Sequence, residues 1–472
     1  MATLAGDLQI EDLDALLAAD PEQVEPRYLR AGLLAGLGRI EEAKQDYLEV
    51  IARAPAHFGA LNDLGTLLYN TDYRSAARLA YAEAVKHHPQ NPIGRINLAN
   101  ALLADSQHDA ARLHFDAALS LAPDHPDAHQ GMANLLQDLG AADAAERHRQ
   151  QSYRARTITH LPYRGEGQPR RLLLLVSAAG GNVPTRFLLD DAVFAVSVLA
   201  VEAHVAGAAL PPHDLVFNAI GDADLCGQAL EAAQALLAGS AAPVINAPAR
   251  VRLTGRADNA ATLGTLPGVV APKVVIAPRE GVEQSARDFG YPLLLRSPGY
   301  HTGRHFQRVE APGDLAAAVA GLPGRELMLI EFLDARDRLG AARKYRVMMI
   351  DGRLFPLHLA VSSDWKVHYF TADLVERPDH RAREAAFLDD MPAVLGARAM
   401  AGLEAIAARL GLDYAGVDFG LGPDGEVLLF EANATMVVNP PDPDPRWDYR
   451  RAPVERILAA TRSMLLERAG GG

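Results

Sequence analysis

AHFGALNDLGTLLYNTDYRSAARLAYAEAVKHHP, residues 56–89, sets the architecture of the first third of the chain. Leu61, Leu64, Gly65 and Leu68 recur at helical spacing in its first half, and Ala77, Tyr81 and Ala84 in its second. The segment therefore reads as two helices joined by a short turn. Pro89 closes it, because proline has no N–H to offer and clashes with the preceding helical turn. The pattern recurs. Prolines at Pro21, Pro55, Pro89 and Pro123 follow one another at intervals of 34 residues, and Ala43, Ala77, Ala111 and Ala145 keep the same period. Leu98, Ala99, Leu102, Ala111, Phe115 and Ala118 restate the motif one unit later. Small residues at Gly65, Ala99 and Ala133 let paired helices approach, while Tyr47, Tyr81 and Phe115 fill the space between units.

A helix–turn–helix unit of this length resembles the tetratricopeptide repeat. The resemblance covers roughly residues 8–155, with degenerate outer units acting as caps. It implies a platform for a peptide or protein, bound in a groove lined by the first helix of each repeat. Asn62, Thr66, Asn97, Asn100 and Asn134 fall on that face. Their side chains suit an extended peptide backbone; any single Asn there reads better as a solvated polar position, and the groove as a whole as a binding site.

The chain has 472 residues, 49% hydrophobic and 22% charged, an ordinary globular composition spread over about three domains. Its only cysteine, Cys226, excludes an internal disulfide framework and suits a reducing compartment. The N-terminal segment lacks a basic signal-peptide region. The longest apolar run, residues 172–179, is too short to span a bilayer. A cytoplasmic protein without a membrane partner is expected. A net charge of −13 argues against nucleic acid as a partner. Any polyanion site must be assembled from locally gathered Arg, Lys and backbone N–H groups.

HLPYRGEGQPRR, around residues 160–171, breaks the helical periodicity and reads as a linker. Beyond it, RLLLLVSA, LVFNAI (215–220) and PVINA (243–247) are buried strands alternating with alanine-rich helices, the pattern of a parallel α/β layer. Gly180-Gly181 follows the first strand, but SAAGGNVPTR matches no phosphate-loop pattern and reads as a strand-to-helix turn. From about residue 270 the strands lengthen, and MIDGRLF and LGPDGEVL read as hairpins with Asp-Gly turns. The expected fold is multidomain. An all-α repeat array over 1–160 precedes an α/β domain over 165–258 and an α+β domain over 259–472.

The last hairpin, YAGVDFGLGPDGEVLLFEAN, carries the chemistry. Asp418 lies on its first arm, and Glu431 and Asn433 share one face of its second. Two carboxylates and an amide oxygen converging in this way are hard ligands suited to Mg²⁺. GVDFG…LLFEANAT resembles the closing motif of ATP-grasp enzymes such as D-alanine–D-alanine ligase and bacterial glutathione synthetase. The resemblance implies ATP as cosubstrate, with two magnesium ions held by Asp418, Glu431 and Asn433. It spans about 170–450 and casts 165–258 as the pre-grasp, substrate-side domain. YPLLLRSPGYHTGRHFQRV (291–309) matches the family's glycine loop over the phosphates, with Gly299 and Gly303 close to them and His301 and His305 beside them. LMLIEFLDA (327–335) matches the adenine strand, through Glu331, Phe332 and Leu333 for the base and Asp334 for the ribose. KYRV (344–347) matches the basic strand, with Lys344 for nucleotide and Arg346 for phosphate or acyl phosphate.

Two family lysines are replaced. One falls at or near Asn259 in GRADNAATL, with Lys273 in VVAPKVVIA as its expected substitute from a different strand; the other is Arg296, where Arg keeps the charge and binds phosphate bidentately. The segment WKVHYFTAD (365–373) lacks the glycines of glutathione synthetase and offers Lys366, His368 and Tyr369 to a different substrate. The implied activity is an ADP-forming carboxylate–amine (or related nucleophile) ligase acting through an acyl phosphate. Arg296 and Arg346 would be its catalytic cations, and a peptide or protein held by the repeats its substrate. Two alternatives remain: an ATP-binding scaffold, or a small-molecule ligase whose repeats form a homodimer.

Overall fold

The computed structural model describes residues 10–71, 73–154, 158–204, 207–299, 305–337, 340–367, 374–375, 377–441 and 444–470. The chain divides into two compact units, Met1–Ala155 and Arg156–Gly472.

The first unit is helical. After α1 (Ile10–Ala19) come four helix pairs: α2 (Val24–Gly36) with α3 (Ile40–Arg53), α4 (Phe58–Asn70) with α5 (Arg74–His87), α6 (Pro92–Ala104) with α7 (His108–Leu121), and α8 (Pro126–Asp138) with α9 (Ala142–Arg154). The in-phase alanines Ala43, Ala77, Ala111 and Ala145 are buried, as are Tyr47, Tyr81 and Phe115. A Cβ on Gly65 would lie 2.6 Å from Cε1 of Tyr81, so the close approach requires glycine. The helices are capped in phase as well. His57 Nδ1, Asn91 Oδ1 and His125 Nδ1 accept the N–H groups of Ala60, Ile93 and Asp127 at the starts of α4, α6 and α8. The prolines do more than stop helices. Arg27, Arg95 and His129, all at one repeat position, hydrogen-bond the carbonyls of Pro21, Pro89 and Pro123 at 2.7, 2.9 and 2.7 Å.

The second unit holds three sheets. The first has β1 (Thr159–His160), β2 (Arg170–Val176), β3 (Phe194–Ala200), β4 (Leu215–Asn218) and β5 (Val244–Ile245) in the order β1-β3-β2-β4-β5. Its strands are parallel apart from β1, which pairs antiparallel with β3. Phe194–Ala200 is a strand where the turn after β2 was expected to lead into a helix, and Thr159–His160 is a strand at the end of the expected all-α array, so neither strand was expected. The helices α10 (Gly227–Leu237) and α11 (Pro248–Val251) follow β4 and β5. Cys226, buried at the start of α10, has its thiol pushed up to about 12 by burial.

α12 (Arg256–Leu263) leads into β6 (Val269–Val270) and an antiparallel sheet of order β7-β10-β8-β9, made of β7 (Val274–Pro278), β8 (Leu293–Arg296), β9 (Phe306–Val309) and β10 (Glu326–Glu331). The short helices α13 (Val282–Ala286) and α14 (Leu315–Ala320) belong to this part. The third sheet joins β11 (Ala342–Ile350), β12 (Arg353–Ser362), β13 (Tyr414–Leu421) and β14 (Val427–Asn433) to β6 in the order β12-β11-β13-β14-β6. Asp351 and Gly352, both with positive φ, turn β11 into β12. α15 (Pro378–Asp389), α16 (Met391–Leu410) and α17 (Arg451–Gly470) complete the unit. Asn246, fully buried, ties the first sheet to the third by donating to Tyr414 O and accepting from Tyr414 N, at 2.7 and 2.9 Å.

Candidate functional site

Strand register builds the site. His358 on β12 stands opposite Arg346 on β11, Arg346 opposite Asp418 on β13, and Asp418 opposite Glu431 on β14. Directly opposed residues share a face, so four ionisable side chains form one row across four strands. Bulges immediately after Arg346 and Asp418 end the regular register there.

Three members of the row, Arg346, Asp418 and Glu431, are ion-paired. Arg346 Nε and Nη2 donate to Oδ1 and Oδ2 of Asp418 at 2.5 and 2.8 Å, and Lys344 Nζ adds a bond of 3.1 Å to Oδ2. Glu431 Oε1 accepts from Arg256 Nη2 at 2.5 Å and from Asn433 Nδ2 at 2.8 Å. Burial alone would raise both carboxyls, but Arg346 and Lys344 hold Asp418 well below the usual range, and Arg256 lowers Glu431. Burial pushes Arg296 down to about 10, with repulsion from Arg256 adding to it. His358 is driven well below its ordinary value by burial, and Arg346 acts in the same direction.

A cleft of about 780 Å³ opens over this row. It gathers Arg296, Glu331, Phe332, Leu333, Asp334, Lys344, Arg346, Lys366, Asp418 and Glu431, all singled out in the sequence. Phe306, Phe332 and Trp365 add aromatic faces, with ring centroids 5.6 Å apart for Phe306–Trp365 and 6.2 Å for Phe332–Trp365. Arg308 lies over Phe332 at 4.4 Å. Half-buried cations beside flat apolar surface suit a ligand that is anionic at one end and planar at the other.

One expected residue lies elsewhere. Lys273 does not line the cleft: its Nζ bonds the carbonyl of Asp288 and sits over the Phe289 ring, because it leads into β7 on the far side of β10 from β8. Asn433 donates to Glu431 and turns its amide oxygen to Thr435, which donates from both N and Oγ1. Asp334 forks onto Arg336, with bonds from 2.5 to 3.0 Å. Gly299 takes a left-handed φ of 78° in the turn after β8. Gly303, His301, His368 and Tyr369 lie outside the described residues. In the repeats, Asn97 donates to Asn62, and Asn62 to Asp63, leaving these two half-buried; Asn100 and Asn134 are exposed.

Arg256 is the residue that sequence reasoning missed. It stands three places before Asn259 on α12, a spacing that puts both on one helical face. Asn259 is buried and bonds the carbonyls of Thr254 and Ala432, while Arg256 reaches Glu431.

Residues 24–57, the span of α2, α3 and the turn after them, match the tetratricopeptide repeat family. The N-terminal unit is a tetratricopeptide-repeat array. No curated protein matches the chain. Among solved structures, MamA from Desulfovibrio magneticus RS-1 is 21% identical over 30% of this chain and 81% of its own, with a TM-score of 0.29. YrrB, described as a TPR protein with an unusual peptide-binding site, is 17% identical over 30% and 74%, with a TM-score of 0.28. Pseudomonas aeruginosa PilF is 20% identical over 31% and 67%, with a TM-score of 0.29.

Proposed function

We propose that residues 156–472 form an ATP-grasp ligase that binds magnesium and ATP in the 780 Å³ cleft, and that the repeats present its peptide or protein substrate. The observation that carries this reading is the opposition of Asp418 and Glu431 on one face, surrounded by Arg256, Arg296, Lys344 and Arg346. The two carboxylates offer hard oxygens in a donor set that fits magnesium. When bound, that ion supplies charge neutralisation on the phosphate oxygens.

The chain's own residues do the rest. Phe332 and Trp365 provide surfaces for the base, and the strand end at Glu331–Leu333 provides its edge. Arg296 and Arg346 orient the γ-phosphate toward a substrate carboxylate and balance the charge of the transferring phosphoryl group. A carboxylate oxygen attacks that phosphorus, ADP leaves, and the acyl phosphate then yields to an amine or related nucleophile with release of phosphate. No nucleophilic side chain is called for.

The scaffold reading has one observation in its favour: the carboxylates are already paired with cations of the chain, Asp418 with Lys344 and Arg346 and Glu431 with Arg256. A single experiment separates the two. Trp365 and Trp447 both line the cleft, so intrinsic fluorescence should change with ATP, and more strongly when magnesium is present. Release of ADP that depends on added peptide supports the ligase; ATP binding with no ADP release from any peptide supports the scaffold. An absence of any fluorescence response to ATP with magnesium would sink both.

A further inference from the structure

Arg256 occupies an unusual junction. Its guanidinium lines the cleft and also a small enclosed cavity shared with Asp224 and Asn259. Nη2 holds Glu431 at 2.5 Å, and Nε lies 3.8 Å from Asp224. Arg256 is largely buried, and half-buried Arg296, which lines the same cleft, repels it.

A buried guanidinium that loses its carboxylate is strongly unfavourable unless another anion replaces it. A divalent cation arriving alone at Glu431 competes with Arg256 for that carboxylate, and weakening their pair leaves Arg256 and Arg296, which repel each other, with Asp222 and Asp224 as the nearby carboxylates. A phosphate arriving alone meets an Arg256 already committed to Glu431. When both arrive together, the metal takes Glu431 and a phosphate oxygen takes Arg256, so each charge exchanges one partner for another.

We infer that Arg256 is the residue that couples divalent-cation binding to phosphate binding in this cleft, by exchanging Glu431 for a phosphate oxygen. This inference rests on the proposed nucleotide site. It assigns to α12 a cation that lies three residues before Asn259 and reaches the same strand end. Neither ligand binds tightly without the other, which keeps the cleft from filling with free metal or with unmetallated nucleotide.

The test uses the full-length protein, with Mn²⁺ as the cation, followed by the electron paramagnetic resonance of the free ion, and ADP as the phosphate ligand. In the wild type, ADP should raise the affinity for Mn²⁺ by about tenfold or more, after allowance for the Mn²⁺–ADP complex in solution. Arg256→Met should bind Mn²⁺ alone about fivefold more tightly, because Glu431 is released, and should lose nearly all the enhancement by ADP. Arg256→Lys should recover part of it. Unchanged Mn²⁺ affinity and unchanged enhancement in Arg256→Met overturn the inference. So does a wild type that binds ADP, judged by tryptophan fluorescence, without any change in Mn²⁺ affinity; this arm stands even if Arg256→Met does not fold. A wild type that binds no ADP at all removes the nucleotide reading itself, and the two failures are therefore distinct.

Discussion

Asn259 donates its side-chain amide to the carbonyl of Ala432, the residue between Glu431 and Asn433. The same nitrogen also bonds Thr254 O at 2.9 Å, so one buried amide fixes the start of α12 against the end of β14. The cation of this region comes from Arg256, which reaches Glu431 from the same helix. Asn259→Ala should leave two carbonyls unsatisfied and cost about 1–3 kcal/mol of stability. Urea unfolding measures it directly, and an unchanged midpoint would contradict this structural role.

His358 gives stability a pH dependence. Its folded pKa is depressed by burial, so below the ordinary histidine value, about 6.5, the unfolded chain takes up a proton that the folded chain refuses. Stability is therefore whole above that pH and falls as pH drops below it, by up to about 1.4 kcal/mol per pH unit for this one group. His114 and His148 in the repeats are shifted in the same direction, chiefly by burial, and being half-exposed they contribute less. His358→Gln should flatten the fall between pH 6.5 and 5 in denaturation of the C-terminal unit, roughly in proportion to the one proton removed. An identical pH slope in the variant would count against the assignment.

Gly65→Ala tests the packing between paired repeat helices. Alanine offers about 1 kcal/mol of helix propensity over glycine. Against that, the new methyl would overlap the buried ring of Tyr81, and overpacking costs about 1–3 kcal/mol. Tyr81 is confined in the repeat core and its hydroxyl meets Thr66 Oγ1 at 3.1 Å, so the ring cannot move freely and the clash should win. Thermal melting followed by circular dichroism should show a lower midpoint for the repeat transition; a raised one would mean that the helices separate more easily than this packing implies.

The division of labour between the units is open to truncation. A chain beginning at Ile158 keeps β1, which pairs with β3, whereas one beginning near Gly165 would strip that edge strand. The shorter protein should bind ATP with near-normal affinity, since every cleft residue lies within 156–472. On a peptide substrate its KM should rise about tenfold or more, because binding remote from the reacting carboxylate is gone. Unchanged kcat/KM in a folded truncation would remove substrate selection from the repeats and favour dimerisation.

Much of this molecule was legible in one dimension, and what was legible was local. The 34-residue spacing of Pro21, Pro55, Pro89 and Pro123 determined the helix pairs, because each pair packs on its neighbours in sequence and repeats its contacts unit by unit. The Asp-Gly turn and the period of two likewise determined that Glu431 and Asn433 share a face on a hairpin with Asp418. Tertiary structure alone decided what those side chains meet. Arg256 and Glu431 are 175 positions apart and come together only because α12 packs against β14. Lys273 carries a positive charge as Arg256 does, yet strand order carries it away from the cleft. Asn62 and Asn97, both placed in the repeat groove by their spacing, turned out to bond one another. Periodicity records which face a residue occupies; its partner on that face depends on how distant elements are brought together, and on which charges must be neutralised once water has been excluded.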